Sequence, residues 1–124
     1  MTFERFERIG GIFKIKASIS TKGVISLNQG ACNAYKLSPA NAKFVELYYD
    51  KDEKLIGMKF VIEENGSVAT VRHRKSSLDF SAKSMMDFYG IQPSKTSLYE
   101  LKNENGMIIL DLKTAVERKT KKED

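Results

Sequence analysis

Residues 22–39 read KGVISLNQGACNAYKLSP, and residues 74–93 read RKSSLDFSAKSMMDFYGIQP. Each begins with one or two basic residues and passes through a short apolar run. Each then reaches a polar residue able to cap a helix and stops at a proline. Ile25–Tyr35 align without a gap on Leu78–Phe88 at an offset of 53, and after one inserted residue Leu37, Pro39, Glu46 and Leu47 align on Ile91, Pro93, Glu100 and Leu101. The two prolines of the chain fall at equivalent places. The same order of elements at nearly the same length marks an internal duplication.

Working outward, residues 12–20 (IFKIKASIS) alternate, with Phe13, Ile15, Ala17 and Ile19 on one face and Lys14, Lys16 and Ser18 on the other, the pattern of a half-buried strand. TKG is a turn, and VISL continues extended with Ile25 and Leu27 inward. Asn28 is placed to cap a short helix that gathers Ala31, Cys32 and Tyr35 on one side. The apolar runs around DKDEK form a hairpin with Val45, Leu47 and Tyr49 inward. After the ENG turn at 64–66 the chain starts over: SVATVRHRK as a strand, SLDF as another, and Ser81 as a cap. A helix carrying Met85, Phe88 and Tyr89 on its apolar side follows, then a hairpin turning at NENG.

A unit of about 45 residues with four strands and one short helix cannot bury its own apolar faces, whereas two such units can cover each other. The expected fold is therefore mainly β with some helix (α+β), a small β-barrel of two pseudo-twofold-related β-β-α-β-β repeats, with swapped hairpins as a possible arrangement. One domain spans 1–113, with repeats at about 12–62 and 67–113. Residues 114–124, poor in apolar side chains, form a charged flexible tail.

Composition narrows the function. No apolar run reaches the ~20 residues that cross a bilayer as a helix, and Glu4 and Glu7 interrupt the start. The single Cys32 excludes an intrachain disulfide and any multi-thiolate zinc site, consistent with a reducing cytoplasm. Twenty-one Lys and Arg against sixteen Asp and Glu give +5, which favours polyanionic partners. Removing the basic tail leaves a body near +3.

The segments STKGVISLNQGACNAYKLSPANAKFVELYYDKDEKLIGMKF and RKSSLDFSAKSMMDFYGIQPSKTSLYELKNENGMIILDLK each resemble the AbrB-like swapped-hairpin module. In that module a basic-Gly turn leads to a strand, a capped helix and a closing hairpin. The tandem arrangement resembles the MraZ branch of that family, and the likeness spans residues 20–113. The family's proline at the strand-to-helix junction is replaced here by Asn28 and Ser81, and neither helix carries an arginine. The resemblance implies a barrel of interleaved hairpins that binds DNA through basic side chains near a pseudo-twofold axis, at positions matching Lys22, Arg74 and Lys75.

The residues point the same way. Lys14 and Lys16 share a strand face, Lys22 sits in the first turn, and Arg72, Arg74 and Lys75 occupy the corresponding part of the second copy. Merged across a dyad, they would anchor phosphates with a log-log salt slope of roughly −3.6 to −5.4 for four to six contacts. Arg74 is the expected reader of a base edge, because guanidinium pairs bidentately with guanine. The same lysines could instead only keep a sheet edge soluble.

Nothing in the sequence forms a catalytic site, a cofactor loop or a metal cluster. His73 lacks ligands at metal spacing, no triad is recognisable around Ser76 or Ser77, and Asp50, Asp52 and Glu53 lack the pattern of a calcium loop. The expectation is a non-enzymatic, cytoplasmic DNA-binding regulator without cofactor, with homo-oligomerisation possible and no membrane partner. Two alternatives stand beside it. One is a protein-interaction module of a mobile element or phage, with Phe44, Tyr48 and Phe60 in its interface. The other is a single-strand binder stacking bases on exposed Phe44 or Tyr48.

Overall fold

In the computed structural model, residues 15–64, 66–75, 77–93 and 95–117 are described. The first half runs β1 (Lys16–Ile19), β2 (Val24–Leu27), α1 (Gln29–Ala34), β3 (Phe44–Asp50) and β4 (Leu55–Val61). The second runs β5 (Val68–Thr70), β6 (Arg72–His73), β7 (Leu78–Ser81), α2 (Lys83–Tyr89), β8 (Ser97–Glu104) and β9 (Met107–Glu117).

Among the described residues, nine strands join one sheet in the order β5-β3-β4-β9-β8-β1-β2-β7-β6, with antiparallel pairing. The two strands that end this order, β5 and β6, are consecutive in the chain with Val71 alone between them. That segment bends at Val71, pairing with β3 before the bend and with β7 after it. The sheet thereby curls into a nearly closed barrel, which removes most of the edge an open sheet would expose.

The alternation read from the sequence sets the interior. Ile19, Ile25, Leu27, Val45, Ile56, Met58, Leu78, Phe80 and Leu110 are fully buried, each worth about 1.5–3 kcal/mol of transfer from water. Phe60 meets Phe80 edge-on, with ring centroids 6.0 Å apart. This places Phe60, expected at an interface, against the core instead. The second hairpin turns at Asn105 and Gly106, both at positive φ (52° and 84°), the geometry that favours Asn-Gly between twisted strands.

Three expectations need correction. Ser81 is not the N-cap residue of α2: it remains in β7, opposite Val24, with its Oγ accepting only a long 3.4 Å bond from Lys83 N, and the helix begins after Ala82, whose N–H is taken by Gly23 O at 2.8 Å. A helix that starts one residue later is rotated by about 100°. Accordingly Met86 is buried while Phe88 is 80% exposed, and Met85 is only partly covered. Last, the chain past Lys113 is not all tail. β9 continues to Glu117, pairing Leu98 with Val116 and Ser97 with Glu117, and Thr114 Oγ1 accepts from Glu100 N at 2.9 Å. A strand already held on one side by β8 needs little apolar content to continue. Residues 118–124 lie outside the described residues.

No helix among the described residues is long and apolar enough to cross a membrane.

Candidate nucleic-acid interface

The site is built on β1, β2, β7 and β6, which are adjacent in the sheet. Because side chains alternate across a strand, the residues between the core positions face outward. One outward row runs Leu98, Ser18, Ser26, Asp79, Arg72 across β8-β1-β2-β7-β6. The next row holds Glu100, Lys16 and Asn28, then Ser77 and Arg74, whose N–H donates to Ser77 O at 2.7 Å in the tight turn before β7. Lys16 and Arg74 therefore share a face, three strand spacings or roughly 14 Å apart.

Asp79 organises this face. Its side chain is 12% exposed, and it accepts from Arg72 Nε at 2.7 Å through Oδ1 and from Arg74 Nε at 2.9 Å through Oδ2. Burial pushes the carboxyl pKa up, but the hydrogen bonds and charges of Arg74 and Arg72 outweigh it and hold Asp79 below its ordinary value. Both arginine side chains remain about half exposed, at 51% and 56%. Their Nε edges are fixed on the carboxylate, and their terminal nitrogens have no partner among the described residues. The unit of two cations and one anion carries a net charge of +1.

The other basic residues are placed differently. Lys16 Nζ lies 4.0 Å from Glu100 Oε2, a surface pair of little strength. Lys22 is exposed in the Ser20–Gly23 turn, where Ser20 Oγ accepts from Lys22 N and Val24 N, both at 3.2 Å. Gly23, at φ +83°, brings that turn so close to α2 that a Cβ there would sit 3.0 Å from Lys83 Cα. Lys22 and Lys83 thus border one polar cleft of about 300 Å³, with Lys83 Nζ bonded to Asp87 at 3.2 Å. Lys75 is exposed in the turn that precedes β7. Since β2 and β7 are antiparallel, Lys22 and Lys75 lie at opposite ends of their shared ladder. The structure therefore groups Lys16, Arg72 and Arg74 on one outer face, with Lys22 and Lys75 at its two ends. Lys14 is outside the described residues.

Sequence reading missed Asp79 and Lys83. The signal for Asp79 was present: an acid inside the apolar strand LDF must find a cation if the strand is buried, and two arginines precede it on the same parity as each other.

The remaining candidates make structural contacts. His73 Nε2 donates to Ala42 O at 2.8 Å, tying β6 to the segment before β3. Asp50 Oδ1 accepts from Asp52 N and Glu53 N, both at 3.1 Å, and so closes its own hairpin turn. Tyr48, 47% exposed, donates its hydroxyl to Glu46 at 2.7 Å, and Phe44 is half-buried. Cys32 is partly buried, and burial pushes its thiol pKa up, against a smaller lowering by the Leu78 backbone. No group of three or more metal-ligating side chains occurs among the described residues. Comparison with protein-family models, with curated proteins and with solved structures finds no match.

Proposed function

We propose that the chain is a non-enzymatic, cytoplasmic DNA-binding regulator formed from two AbrB-like halves related by an approximate dyad. The strand order supports the duplication. If β1, β2, β3 and β4 are exchanged for the β5/β6 segment, β7, β8 and β9, the circular order of strands reads the same. Pairings also cross between the halves in reciprocal fashion: β1 with β8, β5 with β3, β2 with β7 and β4 with β9. Interleaved hairpins about a dyad require that reciprocity.

The observation that carries the function is the clamp of Arg72 and Arg74 on Asp79. A carboxylate that holds two guanidinium groups by their Nε atoms presents the terminal nitrogens outward in fixed geometry, suited to phosphate oxygens or a guanine edge. Lys22 and Lys75, with no carboxylate partner among the described residues, flank it along the ladder.

Fluorescence anisotropy with a duplex and a single strand of equal length tests this. Tighter binding of the duplex is expected, weakened at least tenfold, as an order of magnitude, by the exposed double variant Lys22→Glu/Lys75→Glu. Binding that ignores this charge reversal would remove the reading. The single-strand alternative loses support because Tyr48 is bonded to a carboxylate that repels a phosphate backbone.

One feature favours a protein-interaction role as the second reading. Phe88, 80% exposed, meets Tyr89 with centroids 4.9 Å apart, and Tyr89 meets Tyr49 at 4.7 Å. A concentration-dependent oligomer in light scattering, without measurable DNA affinity, would select that role.

A further inference from the structure

The β5–β6 segment leaves part of its edge unused. Val71 N donates to Lys43 O at 3.0 Å. By ladder alternation the backbone groups of Ala69 also face β3, while those of Val68 and Thr70 face the other way. On β7, Ala82 N donates to Gly23 O at 2.8 Å, so the backbone groups of Ser81 point away from β2 and toward β5. Continuing the Arg72–Asp79 register by two residues would zip Thr70 to Ser81. The ladder instead stops at Arg72. By contrast, the β1–β2 ladder stays closed from Ala17–Leu27 to Ile19–Ile25 and on to the 2.9 Å bond from Ser20 N to Val24 O.

A cleft of about 660 Å³ occupies the opened seam, within the usual range of small-molecule sites. Its floor is apolar, made by Leu47, Ala69 and Met85, all of which pack on the core. Thr70 and Ser81 offer hydroxyls and the outward backbone groups on either side, and among the described residues Arg72 is the one charged side chain of the lining.

We propose that this cleft binds a small amphipathic carboxylate. The carboxylate takes the terminal nitrogens of Arg72, whose Nε is already committed to Asp79. A short apolar body then covers Leu47 and Met85. The charge of the ligand follows from the clamp: two arginines sharing one aspartate leave +1, which a monoanion matches and a phosphate dianion exceeds. The inference does not depend on nucleic-acid binding, because its test contains no nucleic acid.

The probes are octanoate and octan-1-ol, titrated calorimetrically into the full-length protein. Octanoate is expected to bind saturably at one per chain, and octan-1-ol at least about tenfold more weakly, the usual worth of a charge-assisted hydrogen bond. Arg72→Gln should bring octanoate down to the level of the alcohol, and Ser84→Trp, which fills the mouth from the exposed first turn of α2, should abolish both. Absence of saturable octanoate binding, equal binding of acid and alcohol, or unchanged affinity in folded Arg72→Gln would overturn the proposal. If Arg72→Gln fails to fold by circular dichroism, Ser84→Trp and the alcohol comparison still decide.

Discussion

Arg72 and Asp79 stand opposite each other across the β6–β7 ladder, joined at 2.7 Å between Nε and Oδ1. Arg74 adds a second bond to the other carboxylate oxygen at 2.9 Å. Pairing of β6 with β7 stops at Arg72, and the carboxylate holds the Nε edge of both guanidinium groups.

Asp79→Asn is expected to lower stability by about 1–3 kcal/mol at pH 7, because it removes the charge from two hydrogen bonds at a largely buried position. The pH dependence has a definite sign. A carboxyl held below its ordinary value in the folded state contributes stability that is complete above its unfolded pKa, about 4, and is lost as pH falls through the folded pKa. Urea unfolding of both proteins from pH 7 to pH 3 should therefore give a gap that is constant down to about pH 5 and narrows below pH 4. A gap that widens toward acid would contradict the assignment.

Gly23→Ala tests the contact between the first turn and α2. The new methyl would meet Lys83 Cα at 3.0 Å, and φ is +83°. Backbone strain and a clash with main chain act together, so a loss of roughly 1–3 kcal/mol is expected by chemical denaturation. Gly66→Ala is the control: its φ is +87°, yet nothing lies within 4 Å of its Cβ, and it should cost only about 1 kcal/mol.

Asn28 joins two elements. Its Oδ1 accepts from Ala31 N at 2.9 Å, capping α1, and from Lys16 N at 3.3 Å in β1. Asn28→Ala should cost about 1–2 kcal/mol, and amide exchange should quicken at both Ala31 and Lys16. Acceleration confined to Ala31 would mean that the cap acts alone.

The parts of this fold that were legible in the sequence are those set by local pattern. Alternation assigned Ile19, Ile25, Leu27 and Val45 to the interior, Asn28 announced its helix, and Asn105-Gly106 announced its turn. The start of α2 was not legible, because capping preference favours Ser81 over Ala82 and the tertiary bond from Ala82 N to Gly23 O overrides it. The bend at Val71 was hidden for a similar reason: SVATVRHRK has strand character throughout, and its division reflects two different neighbours rather than any local signal. The clamp was the least accessible. It depends on the register of the turn from Arg74 to Ser77, which brings residues five and seven apart in sequence onto one carboxylate.

That clamp also changes the expected response to salt. Six free cations on one surface would give a steep dependence, but Lys16 faces Glu100, and Arg72 and Arg74 share one negative charge. Lys22, Lys75 and the net +1 of the clamp leave about three charges to displace counterions, which predicts a log-log slope near −2.7 and a loss of about 40-fold between 50 and 200 mM salt. Asp79→Asn then makes an unusual prediction for a variant that is less stable. With the carboxylate neutralised, the same face gains a charge, so the slope should steepen by about 0.9 and nonspecific affinity at low salt should rise. Discrimination between duplex sequences should fall at the same time, because the guanidinium groups lose the ion that aims them. A parallel decline of affinity and slope in folded Asp79→Asn would show that the arginines do not meet the phosphates.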